Sequence, residues 1–160
     1  MLTDERIRAL LEMPKQTLNP GAREQQEDQH RRREYRLRSD DGDEEFTVFT
    51  RQHAEMADCF SVGLRWHPRS GEPVTLMRCN GSNHRHSNHI EGTGFGVGSF
   101  HVHVATERYI ASGRSAEHFA EVTRDFRTLA GALAVLTQRC AIAGISTEPD
   151  IPDLFDNEDR

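Results

Sequence analysis

Lysine is almost missing from this 160-residue chain. Nineteen of its twenty basic residues are arginine and only Lys15 is lysine. Arginine's planar fork suits two-point phosphate contacts better than an ammonium does. Cysteine is scarce as well. Cys59, Cys79 and Cys140 are odd in number, far apart and never in a CxxC pair, which excludes a disulfide scaffold and a zinc knuckle. No apolar run approaches the roughly 18 residues of a membrane span, and the N-terminus has no signal-like apolar stretch. The expectation is a soluble, cytoplasmic protein. Several catalytic signatures are absent too. No histidine begins an H-x-T or H-x-S motif, which removes the two-histidine phosphoesterases. The glycine-rich "GTGFGVG" has no Lys-Ser/Thr pair and precedes a strand, so it is neither a P-loop nor a dinucleotide fingerprint.

Charge is uneven. The net charge is −6, but the last fifteen residues, "STEPDIPDLFDNEDR", carry six acids against Arg160, leaving nineteen basic and twenty acidic groups in residues 1–145. The spacing predicts a single domain over 1–145 and an acidic, disordered tail over 146–160.

Along the chain, "TDERIRALLEMP" predicts a short N-terminal helix with Thr3 as cap and a stop at Pro14. Residues 14–33 have few apolar side chains and end in Arg31-Arg32-Arg33. They read as a polar, Arg-rich linker or arm. Strands follow. Phe60, Val62, Leu64 and Trp66 alternate with polar residues, and in "FHVHVA" Phe100, Val102 and Val104 alternate with His101 and His103. From Ser115 to Gly144, apolar residues recur at threes and fours from Phe119 to Cys140, the pattern of one long helix. The expected fold is therefore α+β. An antiparallel sheet of about five strands carries the short N-terminal helix and a long C-terminal helix packed on one face. The histidines of "FHVHVA" are expected on the opposite, solvent-facing side.

Five of nine histidines fall within 83–109, as His84, His86, His89, His101 and His103. Strand residues i and i+2 share a face with Cα atoms about 6.5–7 Å apart. Such a pair can bind one metal or flank a phosphate as base and acid, since imidazole titrates near neutrality. "HRHSNHIEGTGFGVG" places His84, His86, Glu91 and Gly98 at the spacing of a cupin's first motif. Its preceding glycine is missing, because position 78 is Arg, and the second cupin motif is absent.

These pieces resemble a family of small, uncharacterised bacterial proteins. Its pattern has a helix ending near Met-Pro-Lys, then R-x-[D/N], H-x-N and a strand bearing H-x-H. Here they are Met13-Pro14-Lys15, Arg78-Cys79-Asn80, His86-Ser87-Asn88 and "FHVHVATERY", covering roughly residues 1–142. Some small toxins of toxin–antitoxin systems are similar in pairing such a strand with an H-x-H. Where the family often has Asp, this chain has Asn80, which weakens the metal reading.

The leading expectation is a bacterial protein that binds or cleaves a phosphodiester, RNA above all, as a metal-independent ribonuclease without a cofactor. His101 and His103 would be the acid/base pair, Arg78 the phosphate anchor and His86 with Asn88 a second wall, while Asn80, Arg65 and Tyr109 contact substrate. One alternative is a non-catalytic protein, antitoxin-like or a phage-defence accessory. It would engage a protein partner through the Arg-rich arm or acidic tail, or form a homodimer. The other alternative is a metal-binding protein holding one zinc, nickel or iron with ligands among His84, His86, Glu91, His101 and His103.

Overall fold

The computed structural model describes residues 1–148; beyond 148 the expected acidic tail lies outside them. Helix α1 (Asp4–Glu12) starts at Thr3, whose hydroxyl accepts from the Arg6 N–H at 3.1 Å, and it buries Ile7 and Leu10. Then come β1 (Lys15–Thr17), β2 (Gln25–Glu27), β3 (His30–Ser39), β4 (Glu45–His53), β5 (Phe60–His67), β6 (Val74–Asn80), β7 (His86–Asn88), β8 (Thr93–Phe95) and β9 (His101–Val104). The chain closes with α2 (Glu107–Ala111), β10 (Ala120–Val122), α3 (Leu129–Arg139) and β11 (Ile142–Ala143).

Nine of these strands form one mixed sheet in the order β10-β9-β6-β5-β4-β3-β1-β11, with β2 also on β3; β1 and β11 are parallel, the other pairs antiparallel. β7 and β8 form a separate hairpin. Period-two alternation gives the sheet two faces. Leu37, Val48, Val62, Leu64, Cys79 and Val102 are buried on one of them, in a core shared with Ile7, Leu10, Leu133 and Leu136 of the helices.

The expected fold is corrected in four respects. The sheet has nine strands rather than about five, because the additional ones are two or three residues long and too short to show a period. It is mixed rather than antiparallel, since β11 returns beside β1 in parallel. The long helix from Ser115 does not form. Ala120–Val122 instead pairs with β9, satisfying an edge that would otherwise be open. Thr128, with extended backbone, caps the short α3 by accepting from the Gly131 N–H at 3.0 Å. Finally, the stretch 14–33 is not an arm: it supplies β1, β2 and the start of β3.

Lys15 shows why this segment is fixed. Its side chain is fully buried, and Nζ donates to the carbonyls of Leu11 (2.9 Å), Met13 (2.8 Å) and Cys140 (2.8 Å). One ammonium thus closes the C-terminal ends of α1 and α3, where carbonyls lack intrahelical donors and the dipole favours a cation.

Candidate functional site

On β9, the residues between the apolar positions are His101 and His103, and they project from the face opposite α3. They are not solvent-facing as expected: His101 is 0% exposed and His103 2%. The reason is the β7–β8 hairpin, which folds over this end of the sheet. His86 of β7 lies with its ring centroid 4.9 Å from His103 and 6.3 Å from His101, and Phe95 of β8 sits 4.8 Å from His101. His84, just before β7, is 4.9 Å from His101, and the two β9 histidines are 5.1 Å apart. His118 extends the group, 5.0 Å from His86 and 5.1 Å from His89.

Hydrogen bonds fix the tautomers. Nδ1 of His101 is 2.9 Å from the Ser99 carbonyl, and Nδ1 of His103 is 2.9 Å from the Glu117 carbonyl. A carbonyl can only accept, so both Nδ1 atoms carry the proton. Both Nε2 atoms are then bare acceptors, and both are buried without a hydrogen-bond partner. Burial pulls the pKa of His101 down to about 4 and that of His103 to about 3, the latter aided by the charge of Arg78. Both rings are neutral at pH 7, the form that binds metals, and neither is poised to donate a proton there.

Asn88 (3% exposed) holds the hairpin down. Its Oδ1 accepts from the Ala120 N–H at 3.0 Å, and its Nδ2 donates to the Ala120 carbonyl at 2.9 Å and to Thr93 Oγ1 at 3.1 Å. That pattern assigns the amide orientation. His86 Nε2, 2.9 Å from the same Oδ1, is therefore a donor, and the ring also interacts with the His118 backbone. Two imidazoles then present bare, buried nitrogens, His101 Nε2 and His103 Nε2, with the His86 ring beside them.

Arg78 is the register partner of His103, and Asn80 of His101. Arg78 reaches Glu117 at 3.4 Å through one terminal nitrogen, while its Nε is buried without a partner. Asn80 is occupied differently, its Oδ1 accepting from Ser61 Oγ at 3.1 Å.

Other expected site residues are engaged elsewhere. The Tyr109 hydroxyl donates to Glu91 Oε2 and accepts from the Ile90 N–H at 3.2 Å. Arg108 donates to the other Glu91 oxygen at 2.7 Å. The Glu91 carboxylate therefore clamps the hairpin turn to α2. Arg65 stacks over the Phe49 ring at 4.9 Å.

Among the described residues no set of three His, Cys, Asp or Glu side chains closes on a metal ion as the structure stands. Among the described residues, cavities of about 280, 330 and 380 Å³ are lined by none of the cluster histidines. His118 was missed by sequence reasoning because it fell inside the expected long helix. Its Nε2 is 3.1 Å from the Ser87 carbonyl, a tie between the hairpin and the segment leading into β10.

The chain belongs to a family of unknown function, DUF6978, whose sequence profile matches residues 2–142. No curated protein and no solved structure matches it. Among the described residues no helix is long and apolar enough to cross a membrane.

Proposed function

We propose that the histidine cluster is a metal centre that binds phosphodiesters. His101 Nε2, His103 Nε2 and the neighbouring His86 would hold one divalent transition metal, and Arg78 would receive the phosphate beside it. The observation that carries this reading is the pair of buried, unpartnered Nε2 atoms, two residues apart on one strand, with their other nitrogens given to carbonyls. An imidazole whose far N–H is held by a carbonyl or amide is oriented for a metal. For rings bound at about 2.1 Å around a tetrahedral ion, centroids lie roughly 5 Å apart. The His86–His103 and His101–His103 spacings of 4.9 and 5.1 Å have that size, while His86–His101, at 6.3 Å, requires a small hairpin shift. An ion held by these neutral imidazoles would supply water activation. Hydrolysis would add that water to phosphorus, break a P–O bond and pass a proton to the leaving oxygen.

A second reading rests on the count of unpartnered atoms. A bound water that donates to both Nε2 atoms and accepts from Arg78 Nε–H would satisfy all three buried groups without a metal. This keeps the metal-independent phosphodiester route, with the bound water as nucleophile.

Metal content by mass spectrometry on tag-free protein, followed by zinc titration, separates the two. The metal reading expects one ion per chain, lost in His101→Ala/His103→Ala. Failure of the parent chain to bind zinc, nickel or iron at micromolar concentration overturns it.

A further inference from the structure

Next to the histidine cluster the sheet face is open and basic, although the whole chain carries −6. On β3 through β6 this face presents Arg32, Arg36, Arg38, Arg51, Arg65 and Arg78, against Glu34 and Glu45. Three of the six have carboxylate partners: Arg32 with Glu27 at 2.8 Å, Arg38 with Glu45 at 3.8 Å and Arg78 with Glu117 at 3.4 Å. Among the described residues Arg36, Arg51 and Arg65 have no carboxylate within 4 Å, and Arg36 and Arg51 are exposed.

Amid these charges lies an aromatic ring. Phe49 is half-buried and lies across Gly63, where an added Cβ would stand 2.3 Å from the ring's Cζ. A missing side chain on one strand therefore makes room for the end of the Phe49 ring from the next, and the Arg65 guanidinium stacks over that ring at 4.9 Å. The row Glu34, Phe49, Gly63, Arg78, His103 runs straight across the sheet to the cluster, and the row Arg32, Arg51, Ser61, Asn80, His101 runs beside it. At about 4.8 Å per strand, β3 to β9 spans roughly 19 Å. A groove of about 120 Å³, lined by His30, Arg51, Ser61, Asn83 and His84 among others, continues this face to His84, which touches His101.

We infer that this face binds single-stranded nucleic acid, with backbone phosphates on Arg36 and Arg51, a base stacked on the Arg65 guanidinium that Phe49 backs, and the strand leading a phosphodiester to Arg78 and the histidines. Unpaired arginines supply the charge that phosphates displace counterions to reach. A guanidinium stacked on a ring serves a base face only when that base is unpaired, which favours single strands over duplex. The inference names the substrate class of the site proposed above, and it rests on that reading for what happens at the histidines but not for binding.

The test is fluorescence anisotropy with the full chain and a labelled twelve-nucleotide RNA, the same sequence as single-stranded DNA, and its duplex, from 50 to 200 mM salt. The expected result is binding to single strands at least tenfold tighter than to duplex. Arg36→Glu/Arg51→Glu should weaken it by tenfold or more and flatten the salt dependence. Phe49→Leu, which keeps the apolar contact with Gly63, should weaken it about fivefold or more without changing the salt slope. Arg8→Glu, exposed on α1 and outside both this face and the histidine cluster, should bind as the parent does, and so should the parent chain without added metal. No single-strand binding at 50 mM salt, equal affinity for duplex, or no effect of the Arg36/Arg51 reversal overturns the inference.

Discussion

Replacing Asn88 by alanine tests whether one amide both docks the hairpin and orients His86. Its four hydrogen bonds, to Ala120 N–H, Ala120 carbonyl, Thr93 and His86, all vanish together. A typical internal hydrogen bond nets about 1 kcal/mol, and each backbone group left buried without a partner costs about 1–3 kcal/mol more. Water entering as the hairpin lifts returns part of that, so the expected loss is about 3 kcal/mol. At about 2–4 °C per kcal/mol for a domain of this size, Tm should fall by about 6–12 °C. Metal affinity is a separate readout. Removing the group that orients a ligand weakens a site by about 10–100-fold. Asn88→Asp divides the two roles. It keeps an acceptor for His86 but loses both donors and sets a carboxylate against the Ala120 carbonyl, so its Tm should fall as far while zinc affinity falls less. Calorimetry and competitive zinc titration on the three proteins give both numbers. An Asn88→Ala protein with Tm within about 2 °C of the parent and unchanged zinc affinity would refute the reasoning.

Three further outcomes follow from single groups. The folded pKa values of His101 and His103, about 4 and 3, lie below the free value of 6.5, so the unfolded chain binds more protons between these limits. Stability is therefore highest above pH 6.5 and falls with pH through that window, by about 2 kcal/mol per histidine at pH 5; urea midpoints that coincide at pH 7 and pH 5 would contradict this. Lys15→Met leaves three carbonyls of two helix ends without their donor and should cost about 3 kcal/mol, read as a drop of about 6–12 °C in Tm. Lys15→Arg should not rescue it, because a planar guanidinium cannot aim three N–H groups at those carbonyls; full rescue would count against the geometry. In Gly63→Ala the new methyl meets the end of the Phe49 side chain, so the ring swings aside. Folding should change by less than about 1 kcal/mol, while single-strand binding weakens as in Phe49→Leu.

Some of this architecture is legible in the sequence because its period runs long enough. β5 shows alternation over eight residues, and α1 has a cap, an apolar stripe and a proline stop. β1, β2, β7, β8 and β10 have three residues each, and three residues carry no period; their partners elsewhere in the chain make them strands. Between Phe119 and Leu129 the spacing fits a helix, but Val122 lies on edge strand β10 and Thr128 is extended. There, tertiary pairing outweighs the pattern. At the site, alternation separates His101 and His103 from Val102, yet it cannot reveal that a hairpin covers them. That error had a physical root. Opposite the helix was equated with facing water, although a sheet has two faces that can each be covered. His118 offered no signal of its own, since nothing local tells that its segment returns beside Ser87.

The makeup of the joint between hairpin and sheet argues for a ligand. An apolar pair of faces would close it without cost, as Val62, Cys79 and Val102 do on the opposite side of the same strands. Instead the contact is made of imidazoles, and it leaves two acceptors and one donor buried with nothing to bond. At about 1–3 kcal/mol each, those three atoms forfeit about 3–9 kcal/mol, comparable to the whole stability of an ordinary domain. A bound water recovers most of this, and so does a metal, but the two treat Arg78 differently. Water accepts from Arg78 Nε–H and leaves the site neutral. A metal ion beside a guanidinium is repelled unless an anion lies between them. Arg78, even with Glu117 beside it, disfavours a metal alone, and a phosphate between the two cations offsets part of that repulsion. An anion should therefore tighten metal binding and a metal should tighten anion binding, by equal factors.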